Sequence, residues 1–516
     1  MSVEEILIRP GAYHDSVTLM QVSRTLGERD GVEVAQVAMG TDLNVGLLIG
    51  LGFAVPRGTN ASDLIVAVRA EGPEQLAAAL AAVDPVLAGG SRSASSGTAG
   101  GASGLAGMVP FRTIGSAARS TPEATLALIS VPGQHAFVEA MDAVEAGLDV
   151  MVFSDNMPVE QEILLKDAAA ARGVLVMGPD CGTAVIGGAG LGFANVTRPG
   201  PVGIVSASGT GAQQLICLLD ANGVGISHCL GVGGRDLTAQ VAARSTRRAL
   251  TLLDADPATE LIVVVSKPPD RRVTVALEAM AATLSTPVAF ALLGSGRDDL
   301  TAAAERIVTG LGRPWTRPRS WSPGVPNEPP IEGKFSLLRG AFAGGTLCDE
   351  SMLIASAALG PIASNIPLAG APLLGPDLKA AGGGHVMVDF GDDELTRGRP
   401  HPMIDGSLRA DWILRQEVGA HTEGIVLLLD VILGHGAHSD PAAELAPVIA
   451  AAHVAAFASG TPLAVIVSLC GSIGDPQGVE RQAHALAQAG AAVHLSNAAA
   501  TRAAVNLITT AEGPSA

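Results

Sequence analysis

The sequence predicts an α/β protein in which a small amino-terminal α+β domain precedes two doubly wound parallel-sheet modules. Three observations carry this. From residue 124 onward, apolar runs of five to seven residues alternate with alanine-rich stretches of helical length: TLALISV, DVMVF, GVLVMG, VGIVSA, LIVVVS and PVAFALL. The runs are continuous, not alternating, so both faces of each strand are expected to be buried, as in a parallel sheet with crossover helices. The plan then repeats in FSLLRGAFAGG, HVMVDFG, GIVLLLDV, LAVIVSL and AVHLS, with the special loops in the same order. GIVSASGTG, GVGGRD and VVVSKPP of the first module correspond to GAFAGGTL, VDFGDDE and LLLDVILGHG of the second.

In chain order, residues 1–88 read as strand (5–9), helix (14–28), strand (32–39), a Gly-rich apolar stretch, strand (64–68) and helix (73–87). This is a small α+β unit, ferredoxin-like in plan. Residues 89–117 begin with GGSRSASSGTAGGASGLAG, a composition expected of a flexible linker. Residues 118–198 and 199–312 form the first regular stretch. Residues 313–334, RPWTRPRSWSPGVPNEPP and a few more, read as a stiff proline-rich tether. Residues 335–510 are the second module.

Composition excludes several functions. With 32 Lys plus Arg against 50 Asp plus Glu the net charge is −18, and aromatics are 3%. No basic face for a nucleic acid and no stacking platform are expected. The amino terminus is acidic without a long apolar core, and the longest apolar run, Val45 to Val55, is far short of the ~18 residues that span a bilayer. Five scattered cysteines without a CxxC pair fit reduced thiols. The expectation is a cytoplasmic protein with no membrane, nucleic-acid or metal partner.

Ligands of doubly wound sheets bind at the carboxyl ends of the strands, where the special loops lie. In SASGTG, Ser206, Ser208, Gly209, Thr210 and Gly211 offer a helix cap and bare backbone N–H groups to an anion. Gly344, Gly345 and Thr346 are the counterparts in the second module, and two such helix ends facing one another would share a phosphate. GVGGRD supplies Gly233, Gly234 and Arg235, a side chain suited to bidentate contact with phosphate or carboxylate, or else to a surface ion pair with Asp236. Lys267 ends a strand. Asp392 and Asp393 suit an acidic helix start better than Mg²⁺. Arg399 and His401, between prolines, are candidates for aiming a charge and moving a proton. Asp155, Asn156 and Asp180 lie in the loops after two earlier strands. Cys181 reads as a buried structural thiol.

These loops resemble the succinyl-CoA synthetase superfamily, and closely its FdrA branch. Residues 122 to about 295 (ISVPGQHAFVEAMDAVEAG, VFSDNMP, MGPDCGT, VGIVSASGTG, GVGGRD) resemble the synthetase α subunit. The second module resembles the carboxyl-terminal domain of the β subunit. The FdrA likeness extends to GAYHDSVTLM, LNVGLLIGLGF, VMVDFGDDE, TRGRPHPMID and LLLDVILG. It implies a partial Rossmann-like CoA-binding domain at 118–198 and flavodoxin-like modules at 199–312 and 335–510, with helix ends that hold a phosphoryl group. Three departures qualify the activity. The glycine-rich half of the CoA-binding domain, the phosphohistidine loop and an ATP-grasp domain are absent from the sequence. The resemblance therefore implies a component of a carbamoyltransferase acting on oxamate and carbamoyl phosphate in purine or allantoin breakdown. In that reading the helix ends hold the phosphate, Arg235 and Lys267 neutralise it, Arg399 orients the acceptor and His401 moves the proton. It also implies an oligomer with other subunits. The alternatives are an NDP-forming acyl-CoA synthetase, which would use CoA and a partner's ADP/ATP site, and a non-catalytic scaffold or regulatory subunit.

Overall fold

The computed structural model describes residues 2–12, 14, 16–56, 58–93, 111–324, 331, 333–380, 383–397, 399–416 and 424–510. They divide into two units, one of residues 1–116 with 396–400, the other of residues 117–395 with 401–516.

The first unit contains β1 (Val3–Arg9), α1 (Ser16–Gly27), β2 (Val32–Met39), α2 (Asp42–Gly50), β3 (Leu64–Ala70) and α3 (Pro73–Ser93). The strands form an antiparallel sheet in the order β1-β3-β2. Central β3 sends Leu64, Val66 and Val68 to a core shared with Leu19, Val22 and Leu26 of α1 and Ala79 and Val83 of α3. Its other face, Ile65 and Ala67, packs on Leu48 and Phe53. Here the sequence reading missed a helix. The Gly-rich apolar stretch is α2, capped by Thr41, whose hydroxyl accepts from Asn44 N–H at 3.3 Å. Its apolar residues surround the helix, so no 3.6-residue stripe announced it. The first part of the predicted Gly/Ser linker is also helical, since α3 runs to Ser93; residues 94–110 lie outside the described residues.

After α4 (Ile114–Ser120), the second unit opens with β4 (Leu126–Ile129), α5 (Gly133–Glu145), β5 (Asp149–Val152), α6 (Val159–Arg172) and β6 (Val176–Met177), a three-stranded parallel sheet. A hairpin, β7 (Thr183–Ile186) and β8 (Ala189–Gly192), turns at Gly187 and Gly188, both with left-handed φ. It joins the next sheet and not the preceding one. That sheet continues with β9 (Pro199–Ser206), α7 (Gly209–Ala221), β10 (Ile226–Gly231), α8 (Arg244–Asp254), β11 (Leu261–Ser266), α9 (Arg271–Ala281), β12 (Val288–Leu292) and α10 (Leu300–Gly310). Its order is β12-β11-β9-β10-β7-β8, with β7 antiparallel to β10.

The second module starts with β13 (Ser320–Trp321), β14 (Phe335–Phe342), α11 (Gly345–Leu359), β15 (Ala363–Ser364), β16 (Val386–Asp389), α12 (Asp393–Thr396) and α13 (Ser407–Gln416). It ends with β17 (Gly424–Ile432), α14 (Pro441–Ser459), β18 (Leu463–Cys470), α15 (Val479–Gln488), β19 (Ala491–His494) and α16 (Asn497–Thr509). The sheet order is β13-β19-β18-β17-β14-β16-β15. Setting β9, β10, β11 and β12 beside β14, β16, β17 and β18, both sheets carry the same order, the second strand outside the first and the third and fourth on its other side. The predicted α/β class with two doubly wound modules is the fold observed.

The proline-rich stretch is not a free tether. Arg313 donates to Gly223 O at 2.7 Å, Thr316 N–H donates to Asn222 Oδ1 at 2.7 Å, and β13 pairs with β19. Helix α14 is long and apolar enough to cross a membrane by length and composition. In this fold it lays Ala442, Leu445, Ile449 and Ala452 on the core of the seven-stranded sheet.

Candidate functional site

The two modules are joined by buried polar side chains that fix where their helices start. Gln213 of α7 donates to Asn195 Oδ1 at 3.1 Å, the Asn195 amide donates across to Leu433 O at 2.9 Å and Asp475 at 2.8 Å, and Gln214 donates to Leu495 O at 3.1 Å. Glu350 of α11 accepts from Leu300 N–H at 2.7 Å and from the Asn497 amide at 2.8 Å. The outcome is that the amino termini of α7 and α11 touch. The Ser208 hydroxyl accepts from Gly211 N–H at 2.9 Å, capping α7, and donates to the Thr346 hydroxyl at 2.7 Å, on the first turn of α11. A Cβ on Gly344 would stand 2.8 Å from Thr210, so only glycine permits this approach. Two helix termini directed at one place give a doubly reinforced positive end, suited to a phosphoryl oxygen or a carboxylate.

Around these ends stand the loops of the other strands. Gly234 lies where its Cβ would be 3.7 Å from the Asp180 carboxylate and 4.0 Å from Lys267 Nζ. Gly233 has φ of +89° and a Cβ there would meet Pro179 O at 2.5 Å, which is why the GVGGRD loop needs glycine. On the second-module side, Asp389 ends β16 with its Oδ2 2.6 Å from where a Gly345 Cβ would be, and its Oδ1 accepts from Gly391 N–H at 2.9 Å. Asp349 follows one turn into α11.

The carboxyl groups here are perturbed upward. Burial and the neighbouring Asp392, Asp430 and Asp349 push Asp389 up to about 8 against the pull of the Gly391 N–H. Desolvation raises Asp349 to about 6, with Lys267 opposing. Desolvation, then Asp393 and Asp155, raise Asp180 to about 7 against Lys267 and Arg235. An anion site walled by carboxyls works only while these stay protonated or paired. For Asp389 the folded value lies above the ordinary 3.8, so the folded state keeps a proton that the unfolded chain releases. Stability then falls as pH rises through the window from about 4 to about 8. Asp389→Asn is expected to flatten that fall, raising the melting temperature at pH 8 far more than at pH 4.5. Parallel wild-type and variant melting curves against pH would contradict it.

Several sequence-predicted residues have other partners. The Ser206 hydroxyl donates to Ser208 O at 2.6 Å and accepts from Ser208 N–H, so it shapes the loop. Arg235 pairs with Glu162 at 3.0 Å and donates to Met157 O at 2.7 Å, and Asp236 is not its partner. Asp236 is buried with Lys166, which donates to Glu162 at 2.7 Å, Asp236 at 2.8 Å and Val232 O at 3.0 Å. This buried triad holds the GVGGRD loop. In the sequence it is a Glu–Lys pair four apart on α6, a spacing that carries no mark of its burial. Lys267 is exposed, close enough to Asp180 and Asp349 to act on both. Asp155 and Asn156 occupy the loop after β5, with Asn156 in left-handed φ, and Asp155 acts on Asp180 and Asp393. Asp392 accepts from Glu394 N–H at 3.1 Å, capping α12.

His401 is the clearest correction. Burial, with Arg409 adding to it, lowers its ring to about 4, and Nδ1 accepts from Met403 N–H at 3.2 Å. The neutral ring therefore carries its proton on Nε2, next to Gly391, where it is a hydrogen-bond donor and carries no charge at neutral pH. Arg399 is exposed and falls with the amino-terminal unit, its N–H bonded to Thr396 O. Cys181 is buried with its thiol pushed up, as a structural cysteine should be.

By its CoA-ligase match this chain is of the succinyl-CoA synthetase-like type. Residues 341–507 match the CoA-ligase family, and residues 1–103 match a domain described as AllF, heavy metal-associated. YahF of Escherichia coli is 35% identical across 95% of each chain, and the protein belongs to the YahF family within the succinyl-CoA synthetase-like superfamily. That supports the superfamily and not the FdrA branch in particular. The α 2 subunit of the ADP-forming succinate–CoA ligase of Archaeoglobus fulgidus is 30% identical over 36% of this chain and 65% of its own length. The sulfoacetate–CoA ligase subunit SauD of Bilophila wadsworthia is 25% identical over 38% and 74%. Among solved structures, the acetyl-coenzyme A synthetase 1 of Ca. Korarchaeum cryptofilum aligns over 79% of this chain and 87% of its own, with 16% identity and a TM-score of 0.28.

A heavy-metal ion does not fit the amino-terminal unit. Residues 1–103 contain no cysteine and one histidine, His14, and no metal-binding cluster occurs among the described residues. Soft and borderline ions are held by sets of thiolate, thioether or imidazole donors, and this segment offers no thiolate and a single imidazole.

Proposed function

We propose that this chain is the acyl-phosphate-handling component of a CoA-ligase-type enzyme. The start of α7 and the start of α11 together take the phosphoryl group, and the neighbouring loops take the acyl part. The observation that supports this is the 2.7 Å bond from Ser208 to Thr346, which brings the two helix ends together. Lys267, together with Arg235 where it is not engaged by Glu162, supplies the charge that balances the phosphoryl oxygens. Asp389, while protonated, adds a donor. The relatives named as ligase subunits support the ligase type over carbamoyl transfer. Between Lys267 and His385 the sequence holds no histidine, so the acyl phosphate is expected to arrive ready-made from a partner that carries the nucleotide site. Carbamoyl phosphate belongs to the same chemical class, and its transfer to oxamate would use the same anion site with a different acceptor.

Isothermal titration with phosphate, acetyl phosphate, carbamoyl phosphate and CoA tests the reading. Phosphate and the acyl phosphates are expected to bind and to raise the melting temperature, since a ligand of the folded state stabilises it. CoA binding on top of phosphate binding would mark the thiol as acceptor. Turnover of carbamoyl phosphate with oxamate in the absence of CoA would mark carbamoyl transfer. A protein that binds CoA but none of the phosphates overturns the proposal.

A further inference from the structure

Thr183 opens β7, the one strand of its sheet's inner set that runs antiparallel. Because the direction is reversed, the first residue of β7 reaches the edge where the parallel strands end. Its carbonyl lies 2.4 Å from where a Cβ on Gly231 would be, and Gly231 is paired in register with Ser206, the last residue of β9. The threonine side chain therefore sits beside the loop that starts α7. Its Oγ1 is the nearest atom to a Cβ built on Gly209, at 3.5 Å. Thr183 is only 3% exposed, and its hydroxyl has no hydrogen-bond partner among the described residues.

A buried hydroxyl without a partner is destabilising, because the water it gave up is not replaced by another hydrogen bond. Strand position does not require it, because valine has the same shape and a higher preference for a buried strand. The Ser208 hydroxyl at this helix end is already committed to Gly211 and Thr346. We infer that Thr183 is a ligand of the anion at the paired helix ends, donating its hydroxyl proton to a phosphoryl oxygen beside Gly209. The inference rests on the acyl-phosphate reading of that site and adds to it a binding residue from outside both helix-start loops. It also explains how the hairpin β7–β8 serves the site: its reversed direction brings a further side-chain donor to the edge where the parallel strands end.

The test is phosphate titration of the wild type, Thr183→Val and Thr183→Ser, with melting temperatures measured in phosphate-free buffer. Thr183→Val is expected to bind inorganic phosphate about tenfold more weakly, the loss of one hydrogen bond to a charged group. Its melting temperature without phosphate should equal or exceed that of the wild type, since an unpartnered hydroxyl has been removed. Thr183→Ser should bind nearly as the wild type does. Wild-type affinity in Thr183→Val overturns the inference and leaves the site reading standing. So does a lower melting temperature without phosphate at unchanged affinity, which would make the hydroxyl structural. Absence of phosphate binding in the wild type itself overturns the site reading, and this inference with it.

Discussion

Lys166→Met is expected to destabilise the protein by about 3–5 kcal/mol, the usual cost of removing one partner from a buried charge group. Lys166 is fully enclosed on α6, and its ammonium spends all three donors, on Glu162, Asp236 and the carbonyl of Val232. Asp236 also accepts from Ser245 N–H at 3.2 Å and from Thr246 N–H at 2.9 Å at the start of α8, so it keeps partial compensation. Glu162 keeps only Arg235, which is partly solvated. The variant therefore leaves two buried carboxylates with less than their full complement of donors, and methionine, although apolar and of similar length, cannot serve them. Urea unfolding of the wild type, Lys166→Met and Lys166→Met with Glu162→Leu measures this. The double variant removes one stranded carboxylate and should regain part of the loss. If Lys166→Met unfolds within 1 kcal/mol of the wild type, the triad does not hold the GVGGRD loop.

The second large effect concerns phosphate affinity. Gly209→Val and Gly345→Val should each weaken phosphate binding by at least about tenfold, because a side chain then covers the N–H groups the anion needs. Neither glycine has left-handed φ, so the effect comes from the added atoms and not from backbone strain. The two sites differ in surroundings. At Gly209 a Cβ meets only the Thr183 hydroxyl at ordinary contact distance, so folding should be untouched. At Gly345 it would press on Asp389, whose carboxyl must turn away and with it lose its place at the helix end. Since Ser208 and Thr346 tie the two helix starts together, the double variant should bind scarcely more weakly than either single one. Losses that add fully, with circular dichroism unchanged, would mean that each module binds its own ligand.

How legible the site was depended on the kind of contact. The SASGTG and GAFAGGTL loops announce themselves because a strand, small residues and a helix start follow one another along the chain. Their pairing was predicted from the duplication, and the Ser208–Thr346 bond joins residues 138 apart. Asp389, Asp349 and Thr183 went unread. An aspartate ending a strand carries no mark of its proton affinity, which is set by the burial and the carboxyls that folding gathers around it. His401 was read as a proton carrier from its stiff Pro-flanked loop, yet burial beside Arg409 keeps it neutral.

The sequence by itself determined the α/β class, the run of buried strands and the repeated order of loops. Those features follow from side-chain hydrophobicity and glycine placement over stretches shorter than about ten residues. Only the tertiary structure decided that 183–192 leaves the first sheet for the second, that α2 closes the back of the amino-terminal sheet, and that Lys166 is enclosed by carboxylates. It also decided which hydroxyls remain unpartnered at the helix ends. A strand's direction, a charge's partner and a hydroxyl's satisfaction depend on which distant segments come to lie beside it. Local pattern contains no such information, because the energy of each of these contacts exists only once both partners have been brought out of water together.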